Sequence, residues 1–179
     1  TQSRSSAASD VYKRQANSPG FQWHMTNLRN YTEASAEQTE EVRWGGVNLK
    51  PFGQAAGTSP LPGGYTAPAR FVRTAFQKTH LVPPRGKAET VMACFHVLSG
   101  VTVPKGVVKT DRGTYDYTKY TAFVDTASCT YFFKTYDGAA ITRAAFREFP
   151  INGEQPVFLG PLGCGTSFRS FVPSSSGQT

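Results

Sequence analysis

Two side chains in this sequence are set up for polar chemistry by their neighbours. Asn17 opens the run NSPGFQWHMTNLRNY, residues 17–31, and the Pro19-Gly20 pair that follows fixes one backbone angle and frees the next. An amide donor aimed in this way, beside Phe21 and Trp23, suits a developing tetrahedral oxyanion, which a preorganised N–H stabilises. Asparagine also caps turns and helices, so the residue alone leaves both roles open. Arg70 is the second. It falls in the first turn of a helix pattern, where the helix dipole disfavours a cation. A guanidinium put there against local preference suggests a task in a site, although helical surfaces also carry arginines without one.

The other reactive residue types form no constellation. Cys94, Cys129 and Cys164 are an odd number at unrelated spacings, which suggests neither a disulfide framework nor a metal cluster. Cys94 and His96 fall in a helix pattern and point to different sides of it, so a packed thiol is the better reading than a metal or nucleophile pair. His24 and His80 show no partner pattern. Neither a metal nor a cofactor is expected.

The elements that must position Asn17 and Arg70 come next. Phe21, Met25, Leu28 and Tyr31 recur at spacings of four and three, one face of a short helix. The stretch 33–43, with Glu37, Glu40 and Glu41, reads as an exposed loop. Residues 45–64 are rich in Gly, Pro, Ala and Ser and read as a long connection, either functional or simply solvated. Its LPGG turn at 61–64 suits close approach by backbone. Thr66 caps a helix with Pro68 in its first turn and Phe71, Ala75 and Phe76 on one face. A second helix pattern runs over 87–101 through Val91, Cys94, Phe95 and Leu98. Residues 115–125, 130–136 and 141–149 are rich in Thr, Tyr, Phe and Val and predict three successive antiparallel strands. From 159 to 179 the chain turns Gly/Ser-rich and loses periodicity, which reads as a disordered tail or as foreign or frame-shifted sequence.

Length and composition suit one globular domain: 179 residues, 39% apolar and 13% aromatic. Lys and Arg number 19 against 12 Asp and Glu, for a formal charge of +7. They are spread without a basic run, which argues against a nucleic-acid partner. No stretch approaches the roughly 18 apolar residues of a spanning helix, and no membrane partner is expected. The compartment stays open. Residues 5–15, SSAASDVYKRQ, match codon by codon the translation of a transposase-inserted sequencing adaptor. Residues 1–15 are therefore set aside from fold reasoning as an artefact of read-through. Without Arg4, Asp10, Lys13 and Arg14 the formal charge is +7 − 2 = +5.

From Asn17 onward the chain resembles the choloylglycine hydrolase family, the bile salt hydrolases and penicillin V acylases among the N-terminal nucleophile hydrolases. The resemblance is carried by NSPGFQWHMTNLRNY at Asn17, LKPFGQ at Leu49, LPGGYTAPARFVRTAF at Leu61, FHVLSGVTVPKG at Phe95, YTKYTAFVD at Tyr117 and YFFKTYDGAAI at Tyr131. It implies an α+β fold, part of a four-layer αββα sandwich with antiparallel sheets, over residues 16–158, with the amino-terminal half of the family domain missing. It also implies hydrolysis of a linear amide, such as a conjugated bile salt, penicillin V or an acyl-homoserine lactone, by an amino-terminal Cys whose own α-amine is the base. Asn17 matches the family's oxyanion-hole Asn, and Arg70 the Arg close to the nucleophile. No counterpart of the nucleophile is found, so the chain itself is expected to be inactive. A small-molecule amide is the implied partner and a homo-tetramer the implied assembly of the parent. Gly64 stands where Asp is usual, and Ala67 and Ala69 where Pro or Ser are common, which leaves loop geometry and substrate preference open. A non-catalytic β-rich module that binds an acidic ligand is the alternative, and salt-dependent binding to a polyanion would mark it.

Overall fold

The computed structural model describes residues 18–150 together with Asn152, Gln155 and Phe158. Asn17, the 1–15 segment and the 159–179 tail lie outside the described residues. The chain divides into two compact units, split between Tyr117 and Thr118.

In the first unit, helix α1 (Phe21–Asn27) continues as a 3-10 turn (Leu28–Tyr31). Helix α2 (Ala67–His80) and helix α3 (Gly86–Ser99) follow later in the chain. As the sequence predicts, the Thr66 side chain caps α2 by accepting from the Ala69 N–H, with Pro68 in the first turn, where a missing N–H costs nothing. The core sits where α1 meets α2. Phe71 and Ala75 are buried there, with Phe21 and Leu28 packed against them, and the Phe21 ring meets Phe71 edge-on at 6.2 Å. Phe21 is thus a core residue, while Trp23 beside it stays about half exposed.

The stretch 45–64 is not one long connection. Strands β1 (Val42–Trp44) and β2 (Val47–Leu49) pair antiparallel across Gly45-Gly46, and a 3-10 turn (Ala56–Thr58) follows. Gly45 has φ +59°, a left-handed conformation open to glycine without steric cost, and the two-residue Gly45-Gly46 loop is the shortest common hairpin connection. The acidic loop therefore ends one residue before β1, and Arg43 belongs to the hairpin.

The first predicted strand also divides. Strand β3 (Val108–Lys109) pairs with β4 (Tyr115–Asp116) in the first unit. Strand β5 (Tyr120–Asp125) instead joins β6 (Thr130–Thr135) and β7 (Thr142–Ala145) in the second unit as an antiparallel β5-β6-β7 sheet. Phe146–Glu148, predicted as strand, is a 3-10 turn. Phe123 and Phe132, directly opposite in register, stack at 5.3 Å, a cross-strand aromatic pair of the kind that holds sheets together. The Asp125 carboxylate shapes the β5–β6 turn by accepting from the Ala127 and Ser128 N–H groups. Helices with purely antiparallel sheets give the α+β class predicted from the sequence.

Candidate active site

Arg70 closes the first turn of α2, where its own N–H is bonded to the Thr66 carbonyl at 3.0 Å. Its side chain is half-buried, and the Nε atom is buried with no acceptor among the described residues. A buried guanidinium N–H without an acceptor forfeits hydrogen-bond free energy and needs a physical reason. One turn further on stands Arg73, which sequence reasoning passes over. Its Nη1 donates to the carbonyls of Pro62 and Gly64, both at 2.7 Å, and its Nε donates to the Gly100 carbonyl at 3.1 Å. Burial holds the Arg73 pKa below its ordinary value, against a raising influence of Tyr65, and the like charge of Arg70 adds to the lowering.

Arg73 explains the LPGG turn. The backbone there does make a close approach, as the glycines suggest, and what it approaches is the Arg73 guanidinium. Three carbonyls spread over Pro62, Gly64 and Gly100 converge on one planar fork, a geometry that suits arginine and not lysine. The turn at 61–64 and the end of α3 are thereby tied to the helix that carries Arg70. The signal available in sequence was the i, i+3 pair of arginines in ARFVR; the carbonyls that engage the second were not legible.

Asn17 lies outside the described residues, so its distance to Arg70 is not part of the geometry. What the structure brings together is α1, the element that follows the Asn17 turn, and α2, the helix of Arg70. His24 is at the centre of that contact and is 0% exposed. Its ring stacks on Phe71 at 4.6 Å and takes the Trp23 ring edge-on at 5.4 Å. Neither ring nitrogen has a hydrogen-bond partner among the described residues. Sequence reasoning gave His24 no role, because an isolated histidine on a helix carries no pattern.

Cys94 is half-buried on α3, two residues from an exposed His96. Cys129 is exposed in the β5–β6 turn with φ +48°, and Cys164 lies outside the described residues. Among the described residues no group of three or more His, Cys, Asp and Glu side chains is placed to hold a metal ion. No helix among them is long and apolar enough to cross a membrane.

A family profile described as linear amide C–N hydrolases, choloylglycine hydrolase family, matches residues 5–158. The chain is 33% identical over 141 residues to a bile salt hydrolase/transferase of Bifidobacterium longum, covering 79% of this chain and 44% of that protein. It is 36% identical over 116 residues to a conjugated bile acid hydrolase of Lactobacillus acidophilus, covering 65% and 37% respectively. Its structure superposes on a variant of the conjugated bile acid hydrolase of Clostridium perfringens with a TM-score of 0.71 at 26% identity, covering 85% of this chain and 46% of that one. The chain thus spans less than half the length of these relatives.

Proposed function

The chain belongs to the choloylglycine hydrolase family of linear amide C–N hydrolases, and from that premise we propose that its parent protein cleaves a linear amide, with Asn17 and Arg70 as two of the residues that do so. The substrates of its relatives and of the wider family make conjugated bile salts, penicillin V and acyl-homoserine lactones the candidates. In this reading an amino-terminal cysteine thiolate, outside this chain, attacks the amide carbonyl. As the S–C bond forms, the carbonyl electron pair moves onto oxygen, and the Asn17 amide donates to that oxyanion. Arg70 lends its positive charge to hold the thiolate ionised. The C–N bond then breaks, the amine leaves with the proton that the cysteine's own α-amine took from the thiol, and water hydrolyses the thioester to release the acid and restore the thiol.

The observation that supports this reading most directly is Arg70 itself. Its Nε is buried without an acceptor among the described residues, on a helix packed through Phe71 against the element that follows Asn17. A donor left open in that way fits a group whose partner belongs to the substrate or to another part of the protein.

The same reading makes this chain inactive alone, with none of its three cysteines as the nucleophile; that residues 1–15 are foreign to the native gene is a separate proposal, which rests on the adaptor string although the family match begins at residue 5. Purified chain incubated with a glycine-conjugated bile salt and with penicillin V is expected to release neither product above a heat-killed control. Turnover of either substrate would refute inactivity. Sequencing the source DNA upstream of Ala16 is expected to replace Ser5 to Gln15 with family-like coding sequence that begins at a cysteine. Continuous chromosomal coding of the SSAASDVYKRQ string would defeat the artefact assignment.

A further inference from the structure

The two arginines of α2 have no carboxylate near them in sequence. Between Glu41 and Glu89 the chain holds no Asp or Glu, so what either guanidinium can pair with locally is a main-chain carbonyl. Residues three apart on a helix are neighbours, with Cβ atoms about 5–6 Å from each other. Arg70 and Arg73 therefore compete for the same acceptors.

Arg73 holds them. Its Nη1 donates to the Pro62 and Gly64 carbonyls at 2.7 Å each, and its Nε donates to the Gly100 carbonyl at 3.1 Å. That last carbonyl comes within reach because residue 100 has no side chain: a Cβ there would lie 2.6 Å from the Gln77 amide nitrogen of the same helix. Gly100 is also the C-cap of α3, and a helix C-terminus favours a cation. The two charges are in range of each other. Burial holds the Arg73 pKa down, Tyr65 opposes it, and Arg70 adds to the lowering, as a like charge does. Partial burial strengthens such repulsion, and the guanidinium fixed by three carbonyls is not the one that yields.

We propose that Arg73 is a positioning residue for Arg70: by occupying the Pro62 and Gly64 carbonyls and fixing a like charge one turn away, it keeps the Arg70 Nε–H from pairing with the fold. That donor is buried with no acceptor among the described residues, a state that costs free energy and that an open carbonyl within reach would relieve. Arg73 closes that route. The inference rests on the amide-hydrolase reading only for the use to which the open donor is put. Its test reads the donor in this chain without turnover, so either can fail while the other stands.

The measurement is the set of arginine Nε–H signals in proton–nitrogen NMR spectra of the purified chain, as wild type, Arg73→Gln and Arg73→Lys, with Arg70→Lys identifying the Arg70 signal by its loss. In wild type the Arg73 signal is expected downfield, as a hydrogen-bonded N–H, and the Arg70 signal at the unbonded position. Glutamine keeps a neutral donor and removes the charge. In that variant the Arg70 signal is expected to move downfield and its exchange with water to slow about tenfold or more, the factor a hydrogen bond of a charged group supplies. Lysine keeps the charge, and more than half of the glutamine effect on Arg70 is expected to be absent. A merely structural Arg73 would instead move Arg70 in step with lost stability, of which lysine, lacking the planar fork, recovers less than half. An Arg70 signal already downfield in wild type, unmoved by Arg73→Gln, or moved as far by lysine as by glutamine would overturn the proposal. If far-ultraviolet circular dichroism shows the Gln variant unfolded, the wild-type and Lys spectra decide, and a bonded Arg70 signal in either overturns it.

Discussion

Replacing His24 with leucine is expected to stabilise the chain, the reverse of the usual outcome for a fully buried residue. The imidazole is 0% exposed, and neither ring nitrogen has a partner among the described residues. A buried polar group left without a hydrogen bond costs about 1–3 kcal/mol, and substituting an apolar group of similar size recovers that cost. Leucine forfeits the stack on Phe71 and the edge contact with Trp23, worth about 0.5–1.5 kcal/mol each beyond the area buried. Leucine packs the same space with its own apolar contacts and has the better helix propensity. At the low end of both ranges, two unpartnered nitrogens at about 1 kcal/mol each against two ring contacts at about 0.5 each leave a gain of about 1 kcal/mol. Glutamine at the same position is the control. It keeps a polar group and loses the ring contacts, so it is expected to cost about 1 kcal/mol or more. Urea unfolding followed through Trp23 fluorescence reads both: with a slope of roughly 1–3 kcal/mol per molar, the leucine midpoint rises by a few tenths of a molar or more at unchanged slope. A leucine variant less stable than wild type by about 1 kcal/mol would mean that the imidazole makes a hydrogen bond, and the reasoning would fail.

Two further perturbations follow from the described geometry. Arg73→Met removes three charge-assisted bonds, of which the one to Pro62 is part-buried and the other two exposed. The expected loss is about 2–4 kcal/mol, with Arg73→Lys recovering less than half; faster amide exchange between residues 61 and 65 in both variants is the local readout. Burial raises the Tyr131 pKa above its ordinary 10.0, with Tyr120 adding to the rise. A folded pKa above the unfolded one means stability fully present below pH 10.0 and lost as pH climbs through the folded value. Tyr131→Phe is expected to flatten that alkaline loss, and an unchanged pH dependence of unfolding above pH 10.0 in the variant would exclude Tyr131 as its source.

What the sequence discloses depends on how local the cause is. The start of α2 is legible because Thr66 and Pro68 act within one turn, and the β6 strand because Thr130 to Thr135 is bounded by turns. The β1–β2 hairpin carries a legible signal too: VRW and VNL flank a Gly-Gly pair. A composition rich in Gly, Pro and Ala hides it, because each strand is only three residues long. The division of residues 115–125 between two units is not legible. Tyr115 pairs with Lys109, whereas Tyr120 pairs with Thr135, and a run of β-favouring residues does not say where one partner ends and the next begins. The role of Arg73 is hidden for the same reason, since one of its acceptors lies 27 positions away.

The two arginines of α2 show why hydrogen-bond saturation, and not charge or exposure, separates a structural cation from a candidate for chemistry. Both are half-buried, one turn apart, on one helix. Arg73 uses its Nε–H and both Nη1 hydrogens on main-chain carbonyls that are parts of the fold. Any anion that engaged those hydrogens would first have to release the 61–64 turn and the end of α3. Arg70, by contrast, has a buried Nε with no acceptor among the described residues. Its neighbour's saturation also limits its freedom, because a fixed positive charge one turn away disfavours an Arg70 conformation that folds back toward Pro62 and Gly64. The fold has in effect committed one guanidinium to holding the helix in place and left the other with a donor open. On the proposed amide-hydrolase reading, removing the second is expected to abolish chemistry in the parent protein while leaving the packing of α1 on α2 intact.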